Sequence, residues 1–266
     1  MIVDWIYSNP TWLWGSILVV LVAAVACAGL LVFHQLVHID VRRQHNDLAG
    51  FTIAVIGVLY AVLLAFIAIA TWESFSKASE IVENESDYAG GMYLITSGLP
   101  DETGQKIRDA LAKYVNVVIY DEWPTQRRGV TPEQGWKPLR DIASAVAAIR
   151  PQTSGEAVIE AQLLRTWSDL YVARSSRLSA VQGHVPDVVW SIVFLGATIT
   201  IIYTYLFGFQ SFGMHMAMTA IVAATLALVI VMIIALDWPF RGEISVSPDP
   251  FIETVKSWGV APLDSR

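Results

Sequence analysis

A single cysteine, Cys27, stands among 266 residues, which excludes an intrachain disulfide and a thiolate metal cluster. Charge is scarce as well. Asp, Glu, Lys and Arg make up 15% of the chain, against roughly 25% in soluble domains. The formal net charge of −7 offers no basic face to a phosphate backbone and argues against nucleic acid as a partner. No phosphate loop, Gly-rich dinucleotide fingerprint or nucleophile elbow occurs, so the expectation is no enzyme and no cofactor. Residues 1–11 contain Asp4 and no Lys or Arg. The apolar run that follows is also too long for a signal peptide, so it is expected to remain as a span. Cys27, in "AAVACAG", is expected to be a small apolar residue inside that span.

The missing charge is concentrated in four stretches. Trp12–Phe33, Phe51–Trp72 and Val188–Gln210 carry none, and Phe212–Leu236 carries only His215. Each has about 22 residues, about 33 Å of helix, enough to cross a hydrocarbon core of about 30 Å. The reading is an all-α integral membrane protein with four transmembrane helices and a helical extramembrane domain between the second and third. The expected organisation is a first membrane hairpin over 1–72 (spans 12–33 and 51–72) and a helical domain over 73–187. A second hairpin covers 188–236 (spans 188–210 and 212–236), and an LDWPF motif with the C-terminal tail covers 237–266. The spans hold no internal proline and no carboxylate at mid-depth, which disfavours an ion-coupled transporter.

The polar segment reads as helices. Nothing interrupts helix between Phe51 and Gly90, so the second span is expected to continue into water, with Gly90-Gly91 as a weak point. Ile107, Leu111, Tyr114, Val115 and Val118 recur at helical spacing until "DEWP" at Asp121–Pro124 stops the helix. Thr131 with Gln134 reads as a capping box, and Pro138 seven residues on predicts a short or kinked helix. Thr153 with Glu156 is a second capping box. It opens a helix through Ile159, Leu163, Trp167, Leu170 and Leu178 to about Gln182.

Three sets of residues are candidates for chemistry. "HQLVH" at His34–His38 has two imidazoles at i,i+4, with Asp40 and His45 near in sequence. It lacks the glutamate of a zinc protease, so interfacial histidines and no metal are expected. In the second span Ala54, Gly57, Ala61, Ala65 and Ala68 form a narrow small-residue face suited to close helix packing. The other side carries Val58, Leu59, Val62, Leu63 and Phe66, which face lipid in a monomer or form a hydrophobic neck on the axis of a ring. Just beyond, Glu73, Lys77, Glu80 and Asp87 lie near one stripe with Glu83 and Glu85 beside it. In a ring, Glu73 and Glu80 are pore-mouth candidates that concentrate cations. Otherwise this is a solvated face braced by pairs such as Glu73–Lys77.

The pieces "VLYAVLLAFIAIATWESFSKASEIVENES", "VVIYDEWP", "ARSSRL", "PDVVWSIVFLGATIT" and "LDWPFRGEISVSPDPF" resemble, in order, a bacterial membrane family described as bestrophin-like. Bestrophins are ion channels. The resemblance implies four spans, a helical domain after the second, and both termini in the cytosol. It further implies a homo-oligomer, pentameric by analogy, whose second span lines a neck; Val58, Val62 and Phe66 fall at the neck spacing. Trp72-Glu73 and Phe75 loosely match the aromatic and acidic helix beyond the neck. The Arg-Asn-Asn that follows the bestrophin neck is Ile67-Ala68-Ile69 here, and the acidic calcium clasp has no counterpart after the fourth span. Calcium gating and anion selectivity are therefore not implied.

"LDWPFRG" ends the fourth span. Asp237 lies where a helix dipole disfavours a carboxylate and so requires a partner, with Arg241, Arg174 or Arg177 as candidates. Trp238 suits an interfacial belt, Pro239 ends the helix, and Gly242 permits a turn. Together with Phe240 and Arg241 they read as a clamp between membrane helices and helical domain. The expected function is a homo-oligomeric bestrophin-like ion channel in the plasma or inner membrane, its partners the bilayer, copies of itself and small inorganic ions. The alternative is a non-conducting scaffold or sensor whose helical domain binds a partner; a small-solute transporter is a weaker third.

Overall fold

The computed structural model describes residues 2–37, 39–43 and 46–259; His38, His45 and the tail beyond Gly259 lie outside the described residues. The helices, in chain order, are α1 (Ile2–Ser8), α2 (Thr11–Leu36), α3 (Ile39–Arg43), α4 (Asn46–Ile95), α5 (Asp101–Val117), α6 (Trp123–Arg127), α7 (Trp136–Ala147), α8 (Ser154–Ala180), α9 (Asp187–Thr204), α10 (Phe212–Asp237) and α11 (Asp249–Ser257). No strand occurs among the described residues. Four helices are long and apolar enough to cross a membrane: α2, α4 with the 3-10 turn after it, α9 and α10.

The chain divides into two compact units. One holds the chain up to Glu73 with His184–Asp237 and Gly242–Ile244. The other holds Ser74–Gly183, Trp238–Arg241 and the chain from Ser245 on.

In the first unit, α2, α9, α10 and the first half of α4 are present. α4 buries Tyr60, Leu64 and Ile67 against Val193, Ala197, Ile230 and Ile233. Gly196 makes this possible, because a Cβ there would collide with the Tyr60 ring. The Tyr60 hydroxyl donates to the Val193 carbonyl at 2.7 Å. The third apolar helix stops at Thr204, short of the expected Gln210. Asn46 takes both backbone groups of Gly208, at 3.1 and 2.9 Å. A Cβ on Gly208 would lie 2.6 Å from the Arg43 backbone nitrogen. That tether turns the chain before a further helical turn can form.

In the second unit, α4 runs on through Gly90-Gly91 to Ile95 without a break. Gly90 leaves room for α11, since its Cβ would stand 3.2 Å from Thr254. Ile107, Leu111, Tyr114, Val115 and Val118 all enter the core, with Leu139, Ile142, Leu163, Leu170 and Phe251. The "DEWP" segment does not stop its helix. A π turn over Val118–Glu122 carries the chain directly into α6, with Pro124 in the first turn. Pro124 lacks an N–H and crowds the carbonyl four residues back, and the wider turn accommodates both. Thr131–Gln134 is not a capping box: α7 starts only at Trp136. Pro138 therefore sits in a first turn, where the missing N–H costs nothing. Thr153 does cap α8, its hydroxyl accepting from Glu156 N at 3.1 Å. The Glu156 carboxylate reaches back to Gln152 N at 2.7 Å, satisfying a second donor.

Candidate functional site

Two opposite faces of α4 carry the site. A helix turns about 100° per residue, so Tyr60, Leu64, Ile67 and Thr71 fall on one stripe, and all four are buried. Half a turn away lie Val55, Val58, Val62 and Ile69, all exposed, Val58 at 63%. Leu59 and Phe66 flank them, Phe66 at 67%. Leu63 departs from this set: it is half-buried and packs beside Tyr60 and Leu64. Ala54, Ala61 and Ala65 are exposed, Gly57 and Ala68 half-buried, so the small-residue face is not the face α4 packs on within one chain. A Cβ on Gly57 would meet nothing within 4 Å. Bulky residues at four-residue spacing outcompete small ones for the intrachain core because they bury more apolar area.

The pattern continues beyond the apolar stretch. Ala78, Val82, Glu85 and Ala89 are buried. Glu73, Ser76, Glu80 and Asp87, on the opposite stripe, are exposed. Lys77 pairs with Glu80 at 2.9 Å rather than with Glu73. The exposed stripe thus changes along one helix from valine, isoleucine and phenylalanine to carboxylates.

Its place in a run of acids groups Glu85 with a solvated face, and the structure differs. It is fully buried in a cluster with Glu122, Arg174 and Arg177. Arg174 grips Glu122 with two bonds of 2.7 and 2.6 Å. Arg177 binds Glu85 at 2.6 and 3.0 Å and Glu122 at 2.9 Å, and also donates to Gln126. The Tyr114 hydroxyl donates to Glu85 at 2.5 Å, and Gly135 N to Glu122 at 2.8 Å. Two cations therefore meet two anions, so their charges balance inside the core. Burial by itself would raise the Glu122 carboxyl, but hydrogen bonds and charge from Arg174 and Arg177 hold it below the usual range. Tyr114 is pushed well above its ordinary value, first by burial and then by the Glu85 charge. Arg174 and Arg177, offered by sequence as partners of Asp237, are committed to these glutamates. The signal was available: both arginines share the face of α8 that carries Leu163, Leu170 and Leu178. Buried arginines on an apolar face call for buried acids.

Asp237 is buried at the end of α10 and accepts from Val185 N at 2.7 Å. Trp238 lies under the Arg241 guanidinium, 5.3 Å from its ring centre. Pro239 O accepts from Val246 N at 2.8 Å. Phe240 is buried, edge-on to Trp123. Arg241 also runs along Gly129, whose φ of 74° and close neighbour leave no room for a side chain. Gly242 has φ 86°, and a Cβ there would stand 3.0 Å from Tyr7. His34 is bonded to Arg42 Nη2 at 2.7 Å. Among the described residues no group of three His, Cys, Asp or Glu side chains is placed to hold a metal.

The sequence model of the bestrophin-like domain matches residues 20–251, a range that contains the whole of α4, the buried cluster and the LDWPF motif. No curated protein matches the chain. Solved structures do match. Three are variants, each with one substitution, of a bacterial bestrophin homologue from Klebsiella pneumoniae. The first has a TM-score of 0.66 at 12% identity, covering 90% of this chain and 98% of that one. The second has 0.65 at 13%, covering 90% and 96%, and the third 0.63 at 13%, covering 92% and 96%. Identities this low speak to the fold, while the domain match speaks to ancestry. With four apolar helices and a domain match over most of its length, the chain is a membrane protein of the bestrophin-like family.

Proposed function

We propose that this protein is a homo-oligomeric ion channel in which the exposed stripe of α4 faces the symmetry axis. The observation that carries the reading is the stripe itself. Val58, Val62 and Phe66 are exposed in the single chain, on the side of α4 opposite its packed face, and Glu73 and Glu80 continue the stripe. In a ring the apolar residues form a constriction that gates by dewetting, and the carboxylates concentrate cations at its mouth. Cations are therefore the expected permeant ions. Ala54, Ala61 and Ala65, exposed in one chain, are suited to close approach by a neighbouring α4. The bestrophin resemblance supports a pentamer, with the helical domain and termini in the cytosol.

The test is current across a planar bilayer under a salt gradient, for the parent and for Phe66→Ala and Glu73→Gln/Glu80→Gln. Discrete currents are expected. Phe66→Ala should raise the open fraction, and the double variant should move the reversal potential away from the cation limit. Silence from intact oligomers across voltage and pH would overturn the channel reading and favour the scaffold.

A further inference from the structure

The cluster of Glu85, Glu122, Arg174 and Arg177 has a second consequence for α4. Glu85 is the member of the cluster contributed by α4. At about 100° per residue it lies roughly opposite Ser76, Glu80 and Asp87. Those three are exposed, while Glu85 is fully buried. Arg177 meets it with Nε and Nη2 on its two oxygens, and Tyr114 adds a third bond. A two-pronged guanidinium–carboxylate contact fixes direction as well as distance. Ala78, Val82 and Ala89, also buried on this face, are apolar, and Ser86 beside them shares one hydroxyl contact of 2.8 Å with Thr254, so Glu85 alone of these carries a two-pronged contact. Small side chains such as Ala78 and Ala89 tolerate rotation about the helix axis, and a bidentate pair does not. Arg177 is itself held, by Glu122 and Gln126, and Glu122 by Arg174 and Gly135 N. The grip on α4 thus rests on segments from α5 through α8.

We propose that Arg177 and Glu85 are positioning residues. Their bidentate pair sets the rotational phase of α4, and with it which side chains of the acidic stripe face the subunit axis. This rests on the axial reading given above.

The experiment is same-residue crosslinking between copies in the full-length protein, in a Cys27→Ala background with a short bis-maleimide. Single cysteines are placed at Ser76, Glu80 and Asp87 on the front, and at Ser79 and Ile81 on the flanks. The parent is expected to crosslink at the front over the flanks by about fivefold or more, as a fixed phase requires. In Glu85→Gln, and separately in Arg177→Lys, the ratio is expected to fall to about one while helicity is retained. A merely structural role would lower thermal stability and leave the ratio unchanged. Tyr114→Phe deletes one bond to Glu85 and is the substitute where Glu85→Gln does not assemble; a partial fall is expected. Front selectivity in the parent that persists in the variants overturns the positioning role alone. Absence of front selectivity in the parent overturns the axial reading and this inference with it.

Discussion

Replacing Arg174 with methionine tests the energetics of the buried cluster. Arg174 and Glu122 are both fully buried and share two short bonds. Removing one partner of such a pair costs about 3–5 kcal/mol, because a buried charge is left behind. Glu122 keeps Arg177 Nη2 at 2.9 Å and Gly135 N at 2.8 Å, which places Arg174→Met near about 3 kcal/mol. For a chain of this size that is a fall in melting temperature on the order of 10 °C. The assay is thermal unfolding in detergent followed by tryptophan fluorescence, at one scan rate for all variants. Lys77→Ala removes an exposed pair and is the internal control, expected to melt with the parent. Arg174→Met/Glu122→Leu removes both charges and is expected to recover part of the loss, since the penalty lies in the net negative charge that the single variant leaves inside the core. A single variant melting within about 2 °C of the parent would refute the reasoning.

Other outcomes follow from the same geometry. A Cβ on Gly135 would stand 2.6 Å from Arg174 Nη1 and 2.7 Å from Glu122 Oε1, so Gly135→Ala is expected to cost about 1–3 kcal/mol in the same melting assay. Glu122 is held below the usual carboxylate range. Its stabilisation is therefore complete above the unfolded-chain value near about 4.3, and is lost as pH falls through the lower folded value. Melting temperatures should decline on acidification below about pH 4 more steeply in the parent than in Glu122→Gln. Tyr114 is raised, so the opposite sign holds: stability is full below about pH 10 and falls above it, and Tyr114→Phe should abolish that part of the alkaline loss. Asp237→Ala leaves Val185 N without its acceptor and should cost about 1–3 kcal/mol, visible as weaker oligomers on size exclusion.

The sequence made the spans legible because charge-free runs of about 22 residues have few other physical uses. The long α4 was equally legible, since no residue between Phe51 and Gly90 ends a helix. What escaped sequence reading were features set by tertiary geometry. Pro124 signals a stop by local rules, yet a π turn absorbs it, and no propensity scale registers that turn. Thr131 and Gln134 match a cap pattern, but Gly135 N is taken by Glu122 and the helix starts at Trp136, four residues later than that cap predicts. Glu85 sits in a run of acids, and only its position opposite Glu80 on the helix distinguishes it. The stripe of Val58, Val62 and Phe66 was visible from spacing alone, whereas its exposure needed the packed face of Tyr60, Leu64 and Ile67. Leu63 shows the limit of that spacing: the pattern groups it with the neck, yet it lies beside the packed face.

The most direct test of the axial reading is block of single-channel current by a charged thiol reagent, in a Cys27→Ala background. One variant carries Val62→Cys on the exposed stripe of α4; the other carries Val20→Cys, exposed on α2. The account predicts rapid, irreversible block at position 62 and unchanged current at position 20. Equal insensitivity at both positions, in channels that conduct, would contradict it and place the pore elsewhere.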